Sequence, residues 1–468
     1  MPPQNKYIPT LKTLALGIGL IFSYNLAMAL SVEIPANLQN KVAISIVDLN
    51  NAQSVYSYRE TTPMLLASNM KVVTSYAALT GLGRDFIWKT QLAYSGSIDG
   101  NTLNGNLYVI GGGDPTLTSQ ELKNLLQSLK KRKITQINGD IIIDSHIFNS
   151  NVITTELQPE PLAEYEVNPA GLIIDGNLSK IKITIRNNKI NLKTPATTNI
   201  KFINALKIAK NTTSCPLPDN YITATLSAAN QVTVNGALPL SCNNKSFKLN
   251  LLPPAKYNQL VIKQLLAQQP IKYSGKIKNA SAPTNVRLLD ENSSLPLSSL
   301  LITMNKDSNN LYAKTLFLSL GAYKTGNHNT FHDSQRYYRG ILDAKFSFPE
   351  LVLENGAGLS RHEQLSPAHM TQLLSNFYKT PESTLFLSSL PTPGDGTLQN
   401  EFPQFKQQLF VKTGSLNDVK AYSGYYFAAD KHPYAISFIA NGINASNSQE
   451  SQLIAFKQLL ANTLLQLK

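Results

Sequence analysis

Hydrophobic and polar residues alternate soon after residue 40, as they do in a strand that buries one face. The run 42–47 (VAISIV) has this period of two, and residues 40–60 are therefore predicted to form a pair of strands. After Pro63, small and apolar residues cover nearly every side of a segment that reaches Leu79, and Gly81 closes it. This pattern predicts a helix that is buried at the centre of a domain.

The middle of the chain, residues 90–285, has a different pattern. Short alternating or apolar runs are separated by Asn, Gly and Pro turns, which is typical of strands. Helical periodicity returns over residues 295–320. Three further strands are predicted around 410–412, 422–427 and 435–440, and a last helix over 451–467.

Helix and strand patterns at both ends of the chain, with strands between them, predict an α/β (α+β) protein with one domain interrupted by an insertion. We assign residues 30–90 and 286–468 to the interrupted domain. The strand-rich insertion takes residues 91–285. It is predicted to form two domains, one from about 91–180 with 246–285 and one from about 181–245.

Composition agrees with a folded protein of two or three domains, since 42% of the 468 residues are hydrophobic. The formal net charge of +13 favours association with an anionic surface, such as a membrane or a cell-wall polymer. Nucleic acid is not an expected partner. The basic residues are scattered, apart from 130–133 (KKRK), which is interpreted as a solvated helix end.

Residues 1–29 have the pattern of a secretory signal peptide. Two lysines precede an apolar run, and Ala27, Met28 and Ala29 provide a small-residue cleavage site after Ala29. The alternative is a membrane anchor, but the apolar run is short for a span. We therefore expect a periplasmic protein, in which Cys215 and Cys242 could form one disulfide. No cofactor or metal is expected, because His362-Glu363 lacks the second His of a zinc-protease helix.

Ser68 and Lys71 form an S-x-x-K motif at the start of the predicted buried helix. Residues i and i+3 share a helix face, so the lysine amine can reach the serine hydroxyl. Burial keeps such an amine neutral, and a neutral amine can activate the serine as a nucleophile. Two other copies begin at Ser128 and Ser179. The first is interpreted as an exposed helix end and the second as a strand, where i and i+3 face opposite ways.

Two further short motifs follow in the sequence. Residues 308–310 (SNN) have the form S-x-N between two predicted helices, a place from which side chains can enter a cleft. Residues 412–414 (KTG) start from an apolar strand, and there a lysine and a hydroxyl suit a substrate carboxylate. A second K-T-G copy at 324–326 follows a helix and leads into a predicted loop. Order and local context make the first copy the candidate.

The three motifs occur in the order found in penicillin-binding proteins and serine β-lactamases. Beyond them, the mature chain resembles the low-molecular-mass class C penicillin-binding proteins (the penicillin-binding-protein-4 type), which are the D-alanyl-D-alanine carboxypeptidases and endopeptidases of peptidase family S13. The long gap between Ser68 and Ser308 also resembles this family. The matching segments are 67–71 (ASNMK), 105–115 (GNLYVIGGGDP), 139–144 (GDIIID), 307–313 (DSNNLYA), 358–361 (GLSR), 393–398 (PGDGTL) and 412–416 (KTGSL).

The resemblance implies a transpeptidase-like domain, with an antiparallel sheet flanked by helices and interrupted by inserted strand-rich domains. It also implies an acyl-enzyme on Ser68, with Lys71 as general base and Ser308 as proton relay. The substrates would be peptidoglycan stem peptides, and β-lactam antibiotics would be covalent inhibitors.

The resemblance further implies a set of substrate-binding residues. Asn310 would hold the substrate amide, and the backbone N–H groups of Ser68 and Ser415 would form the oxyanion hole. The other residues carried over from the family are Lys412 and Thr413 for the terminal carboxylate, Gly414 for close approach, Asp144 for the amine of the diamino acid, and Arg361. A turn aspartate is an equally good reading of Asp144.

Some positions depart from the family pattern. Asn355 and Ala357 stand where Asp and Ser are expected, Lys314 where an acidic residue is usual, and Ser415 where Thr is more usual. A serine β-lactamase is the nearest alternative, but the sequence has no E-x-x-L-N segment to activate the deacylating water. A non-catalytic wall-binding protein on the same fold is the other alternative, and nothing structural would require the whole catalytic set.

Overall fold

The structure is a computed structural model. It describes residues 30–148, 162–193, 200–209, 215, 222–227, 231–325, 330–445, 447 and 450–467. The predicted signal peptide at 1–29 lies outside these residues.

Strands and helices alternate at both ends of the chain, and strands dominate the middle. The strands are β1 Val42–Asp48, β2 Ser54–Tyr58, β3 Met64–Leu65, β4 Lys89–Tyr94, β5 Ser97–Asp99, β6 Thr102–Asn104, β7 Leu107–Gly111, β8 Gln136–Ile137, β9 Ile141–Asp144, β10 Ser179–Arg186, β11 Lys189–Lys193, β12 Lys201–Ile208, β13 Ile222–Ser227, β14 Gln231–Leu238, β15 Ser246–Leu249, β16 Lys272–Tyr273, β17 Ile277–Asn279, β18 Arg287–Ser293, β19 Gln364–Leu365, β20 Leu409–Leu416, β21 Val419–Phe427 and β22 Pro433–Asn441. The helices are α1 Met70–Gly81, α2 Ser119–Lys131, α3 Pro254–Ala267, α4 Leu297–Lys306, α5 Asn310–Thr325, α6 Thr330–Asp343, α7 Pro367–Tyr378, α8 Ser383–Ser389 and α9 Ser451–Leu464.

The main sheet joins the two ends of the chain. Its order is β2-β1-β22-β21-β20, and every neighbouring pair is antiparallel. Successive side chains of β22 point to opposite faces, so Ile439 packs with α1 and α7 while Phe438 packs with α9. Helices therefore cover both faces, and the predicted antiparallel sheet flanked by helices is confirmed. Strand β20 is left at the edge.

Helix α1 is the buried helix that the sequence predicts. Every residue from 70 to 79 is buried, because the sheet and α4, α5 and α6 surround it. The helix begins later than the apolar run does. Met64 and Leu65 form β3, and Ser68 lies in a single 3₁₀ turn, Ala67–Asn69, directly before α1. Ala67 has a φ of 47°, a backbone angle that non-glycine residues seldom adopt.

The strand-rich middle of the chain forms sheets of its own, with orders β17-β9-β7-β4-β18, β16-β8-β6-β5, β11-β10-β15 and β12-β14-β13. The pairing crosses the predicted domain boundaries. Ser293 of β18 pairs with Lys89 of β4, so this sheet includes residues beyond 91–285. Ser179 of β10 pairs with Leu249 of β15, which extends the second sheet group beyond 181–245. The division into separate domains stays a prediction, with its boundaries moved outward by these pairs.

Cys215 and Cys242 are joined by a disulfide, so the pairing that the sequence left open is confirmed in the structure. Residues 130–133 are exposed at and beyond the end of α2, as predicted. Within the described residues, no helix is both long enough and apolar enough to cross a bilayer.

Candidate active site

Ser68 and Lys71 meet at the start of α1. The Nζ of Lys71 lies 2.9 Å from the Oγ of Ser68, because the 3₁₀ turn and the first helical turn place the two residues on one side. Ser68 is half-buried and Lys71 is 0% exposed. The hydroxyl can therefore meet a ligand, while the amine cannot exchange its partners for water.

Two oxygens besides that of Ser68 surround the Lys71 amine. Nζ donates to Asn310 Oδ1 at 2.6 Å and to the backbone carbonyl of Ala357 at 2.7 Å. A neutral amine has two N–H groups and one lone pair. If the two N–H groups serve Asn310 and Ala357, the lone pair is directed at the Ser68 hydroxyl, the arrangement that a general base needs.

Electrostatics favours the neutral amine. Burial, and then the charge of Lys412, hold the pKa of Lys71 well below its ordinary value of 10.5. Lys314 acts in the same direction, and Glu363 opposes it. Desolvation and the nearby cations outweigh the single anion, and they favour the neutral form of Lys71 that accepts a proton.

Glu363 fixes the loop that holds Lys71, and the sequence analysis missed it. Its buried carboxylate accepts backbone N–H bonds from Glu354, Asn355 and Gly356 on Oε1 and from Gly358 on Oε2, at 2.8 to 2.9 Å. These bonds set the direction of the intervening Ala357 carbonyl toward Lys71. Burial raises the pKa of Glu363, and the four N–H groups oppose that rise.

Two of the departures from the family pattern now have a structural explanation. The side-chain oxygen of Asn355 accepts the backbone N–H of Ala357 at 2.8 Å, a bond for which an amide serves as well as a carboxylate. Ala357 contributes its backbone carbonyl to Lys71, so the site does not need a hydroxyl there. Both substitutions keep the geometry of the loop.

Ser308 lies between α4 and α5, as predicted, in a strained conformation. Its φ is 56°, and such outliers cluster where a side chain must be aimed. The Nζ of Lys412 donates to Ser308 Oγ at 3.0 Å. Because that oxygen accepts from Lys412, the proton of Ser308 can point to another acceptor in the cleft. The structure thus brings all three motifs together.

Lys412 enters the site from the edge strand β20, as predicted for this K-T-G copy. It is 0% exposed, and its Nζ also donates to the Thr413 carbonyl at 2.9 Å. Burial, with a smaller effect of Lys420, lowers the pKa of Lys412 to about 7. The other copy begins at Lys324, an exposed residue in the last turn of α5.

The remaining K-T-G residues support the same edge. Thr413 Oγ1 bonds Thr397 Oγ1 at 2.7 Å, and the exposed Ser415 lies at the end of β20. Gly414 has an internal reason to be glycine. A Cβ at Gly414 would lie 2.6 Å from the Leu66 carbonyl, so only glycine lets β20 pack against the turn that carries Ser68. The close approach of a ligand at Gly414 stays a prediction.

Two predicted substrate contacts have other partners. Asp144 accepts from the backbone N–H groups of His146 and Ala282, at 2.9 and 2.7 Å, and lies in a pocket of the inserted strands that none of the motifs lines. These bonds are those of a turn aspartate, and its role as an amine contact stays a prediction. Arg361 forms two bonds of 2.6 Å with Asp418, and its contact with substrate also stays a prediction.

Lys314 replaces the usual acidic residue and is fully buried one turn after Asn310 on α5. Its Nζ donates to the Val167 carbonyl at 3.2 Å. Burial lowers its pKa to about 8, while Glu166 and Glu363 oppose that shift. Asn310 Nδ2 reaches the Tyr165 carbonyl at 3.5 Å, so neighbouring residues of α5 both contact the segment around 165–167. The lysine is accommodated because acidic residues face it.

A groove of about 1080 Å³ leads away from this site. On one side it is lined by Ser308, Asn310 and their neighbours, and on the other by the inserted strands and α3, including Tyr165, Lys180 and Tyr257. Its walls carry both polar and apolar groups. The groove is large enough for several residues of a peptide.

Comparison with known proteins agrees with the motifs. The family model described as the D-Ala-D-Ala carboxypeptidase 3 (S13) family matches residues 25–463. The D-alanyl-D-alanine carboxypeptidase DacB of Haemophilus influenzae is 28% identical over 431 residues, which are 89% of each chain.

Solved structures agree as well. Penicillin-binding protein 4 (dacB) of Haemophilus influenzae has a TM-score of 0.79 at 26% identity, covering 93% of this chain and 98% of that one. The same protein in complex with a β-lactam has a TM-score of 0.74 at 27% identity, with the same coverage. Since the family model spans nearly the whole sequence, the chain belongs to the D-Ala-D-Ala carboxypeptidase 3 (S13) family.

Proposed function

We propose that this D-Ala-D-Ala carboxypeptidase acts through an acyl-enzyme on Ser68, with Lys71 as the general base. The observation that carries the proposal is the 2.9 Å contact between Lys71 Nζ and Ser68 Oγ inside a buried, cationic environment. Asn310 and Ala357 occupy the other positions around the amine, so its lone pair has one hydroxyl to act on.

In the first step, Ser68 Oγ bonds to the carbonyl carbon of the penultimate D-alanine and its proton passes to Lys71. The carbonyl electron pair moves to oxygen, and the backbone N–H groups of Ser68 and Ser415 stabilise it in this proposal. The C–N bond to the terminal D-alanine then breaks. Its nitrogen takes the proton from Lys71 by way of Ser308, whose oxygen accepts a hydrogen bond from Lys412, and Lys71 becomes neutral again. Water then gives a proton to Lys71 while its oxygen bonds to the ester carbonyl carbon. The bond between that carbon and Ser68 Oγ breaks, and Lys71 returns the proton to Ser68.

The substrate class follows from the ends of the cleft. We propose that Lys412 and Thr413 bind the terminal carboxylate and that Asn310 binds the amide of the stem peptide. The groove beyond Asn310 supports a long peptide, and therefore cross-linked peptidoglycan as well as free stem peptides. We propose endopeptidase action on these cross-links and covalent capture of β-lactams, which mimic the acyl-D-Ala-D-Ala end.

We also propose that the protein is exported to the periplasm after cleavage behind Ala29, with peripheral attachment to anionic membrane or wall polymer. The disulfide between Cys215 and Cys242 supports an oxidising compartment. Cleavage removes Lys6 and Lys12 from a chain of net charge +13, and the remaining charge of +11 supports the attachment.

Intact mass spectrometry after benzylpenicillin, followed by peptide mapping, tests the mechanism. We expect one adduct on Ser68 and none on Ser68→Ala, with loss of D-Ala release. Ser128→Ala and Ser179→Ala are the matched controls, because both serines also stand in S-x-x-K, and they should keep the adduct. A modified Ser128 or Ser179, or an unmodified folded protein, would contradict the proposal.

A further inference from the structure

Lys420 lies on β21 directly opposite Ser415 of β20 and belongs to none of the three motifs. Its Nζ is 3.1 Å from Ser415 Oγ, and its side chain is 12% exposed. We propose that Lys420 is a further substrate-binding residue, the second cation that recognises the terminal carboxylate together with the Ser415 hydroxyl. This inference rests on the proposed function.

Hydrogen-bond direction supports the role. An ammonium only donates, so Ser415 Oγ is the acceptor of the bond from Lys420. The hydroxyl proton of Ser415 must then point to another acceptor. Ser415 is exposed at the edge of the sheet, where a ligand oxygen is able to take that position. Lys420 thus orients Ser415 as a donor to an anion.

Lys412 alone provides too few hydrogen-bond donors for a substrate carboxylate. It is 0% exposed, and two of its three N–H groups already serve Ser308 Oγ and the Thr413 carbonyl. A carboxylate has two oxygens and about four acceptor positions. Thr413 and Ser415 are two residues apart on β20 and point to the same face, so the Lys420 side chain meets the second of these hydroxyls.

The charge of Lys420 is only partly balanced by the protein. Glu401 is its acidic neighbour, at 3.7 Å, but Glu401 also binds Lys457 at 2.8 Å and the Tyr422 hydroxyl at 2.7 Å. Because Lys457 is closer, the negative charge of Glu401 compensates Lys457 more than Lys420. The Lys420 ammonium also lies 5.1 Å from the centroid of the Tyr422 ring, which fixes its direction without neutralising it. The partly uncompensated charge of Lys420, beside the exposed hydroxyl of Ser415, is suited to an anionic ligand.

Two thioesters that differ in one group test the proposal. N-benzoyl-D-alanyl thioglycolate has a carboxylate in the leaving group, and the thioglycolamide counterpart is uncharged there. Lys420→Met should lower kcat/KM for the thioglycolate about tenfold, the loss typical of a charge-assisted hydrogen bond, and change the thioglycolamide by less than about twofold. Lys420→Arg should restore the preference. The fraction of enzyme that benzylpenicillin labels normalises each rate to folded sites.

Lys406→Met is the matched control, because Lys406 is an exposed lysine in the segment that leads into β20. It should leave the ratio of the two rates unchanged. Ser415→Ala should lower the ratio, and adding Lys420→Met to it should cause little further loss. Lys420→Gln carries the same expectation as Lys420→Met if the latter does not fold.

Equal losses on both thioesters, an unchanged ratio in Lys420→Met or Lys420→Gln, or an equal fall in Lys406→Met would overturn the inference. Failure of the proposed function would look different. In that case the unaltered enzyme would turn over neither thioester and would form no adduct on Ser68.

Discussion

The catalytic cleft and the inserted strands place their charged residues in opposite ways. In the cleft, Lys71, Lys314, Lys412 and Glu363 are all 0% exposed. In β10 of the insertion, buried Ser179 and Ile181 alternate with exposed lysines at 180 and 182. A buried charge changes the pKa of its neighbours, whereas an exposed charge is screened by water. Charges in the cleft therefore determine reactivity, and those in the insertion mainly keep a sheet face hydrated.

The two regions are also held together differently. The loop beside Lys71 is fixed by one carboxylate with four backbone partners, and the inserted strands by a disulfide that closes a separation of 27 residues. The first device acts on the geometry of the reacting groups. The second acts on the unfolded chain. Substitutions in each should separate activity from stability.

The largest effect is expected at Glu363. In Glu363→Gln an amide N–H₂ would face backbone N–H groups that need an acceptor, in a site closed to water. Breaking a buried charged partner costs about 3–5 kcal/mol, and we expect a loss of this order in the free energy of unfolding. Because the Ala357 carbonyl would no longer be fixed, kcat should also fall more than about tenfold. Urea unfolding and D-Ala release measure the two effects.

Glu354→Gln is the control for that variant. Glu354 belongs to the same loop, but its carboxylate is one-third exposed and contacts Ser360 and His362 at the surface. Glu354→Gln should lower the free energy of unfolding by less than about 1 kcal/mol. If Glu363→Gln and Glu354→Gln behave alike, the contrast between buried and exposed carboxylates does not hold in this loop.

Glu363 also marks the limit of what the sequence could predict. The helix at α1, the two helices around Ser308 and the edge strand of Lys412 all followed from periodicity and spacing, because each has a regular local pattern. Glu363 has none, since its four partners are backbone groups that any residue provides. The sequence analysis considered His362-Glu363 only as an incomplete zinc motif. An isolated acidic residue directly before the short strand β19 was the available signal.

Long-range pairing explains the other differences. Asp144 accepts from Ala282, far along the chain, as well as from the nearby His146, and the local sequence pattern does not show the distant partner. The domain boundaries moved because β18 pairs with β4, and β15 with β10, across the predicted limits. Lys420 was overlooked because a single lysine in a strand is common, and its meaning depends on the register that places it opposite Ser415.

The next effect in size concerns the insertion. Cys215→Ala with Cys242→Ala should lower the free energy of unfolding by about 3 kcal/mol, the chain-entropy value for this loop length. Cys242 packs among the inserted strands with Ile181 and Val232, so kcat/KM of the folded enzyme should stay within about twofold. Thermal unfolding and D-Ala release check this. Two titratable thiols in the native, secreted protein would contradict the disulfide.

A third prediction returns to the cleft. Lys412→Ala removes the cation that bonds Ser308 and that we propose binds the substrate carboxylate. Charge-assisted hydrogen bonds are worth about 1.5–3 kcal/mol, so kcat/KM for a D-Ala-D-Ala peptide should fall at least about tenfold. Steady-state hydrolysis of the peptide measures this fall in kcat/KM. An unchanged kcat/KM in Lys412→Ala would mean that the substrate carboxylate binds elsewhere.

The pH profile sharpens the same prediction. Lys71 must lose its proton to act, and its lowered pKa gives the acid limb of kcat/KM. Burial lowers the pKa of Lys412 to about 7, so its charge is lost as the pH rises through that value, which gives an alkaline limb. In Lys412→Ala the alkaline limb should disappear, and the acid limb should remain but move to higher pH, because the charge of Lys412 no longer lowers the pKa of Lys71. An alkaline limb that persists would belong to another group.

The smallest effect is expected at Lys324, which starts the second K-T-G copy and tests whether exposure, not the motif, decides the outcome. Its side chain is exposed in the last turn of α5, and its contact with Tyr337 is made by the backbone carbonyl, which alanine keeps. The lost attraction to the helix end is offset by the higher helix propensity of alanine. Lys324→Ala should therefore change kcat/KM by less than about twofold and stability by less than about 0.5 kcal/mol. The same peptide assay and urea titration apply, run beside Lys412→Ala. A large loss of activity in Lys324→Ala, with unchanged activity in Lys412→Ala, would mean that the substrate binds at the second K-T-G copy. It would reverse the contrast between the buried and the exposed lysine.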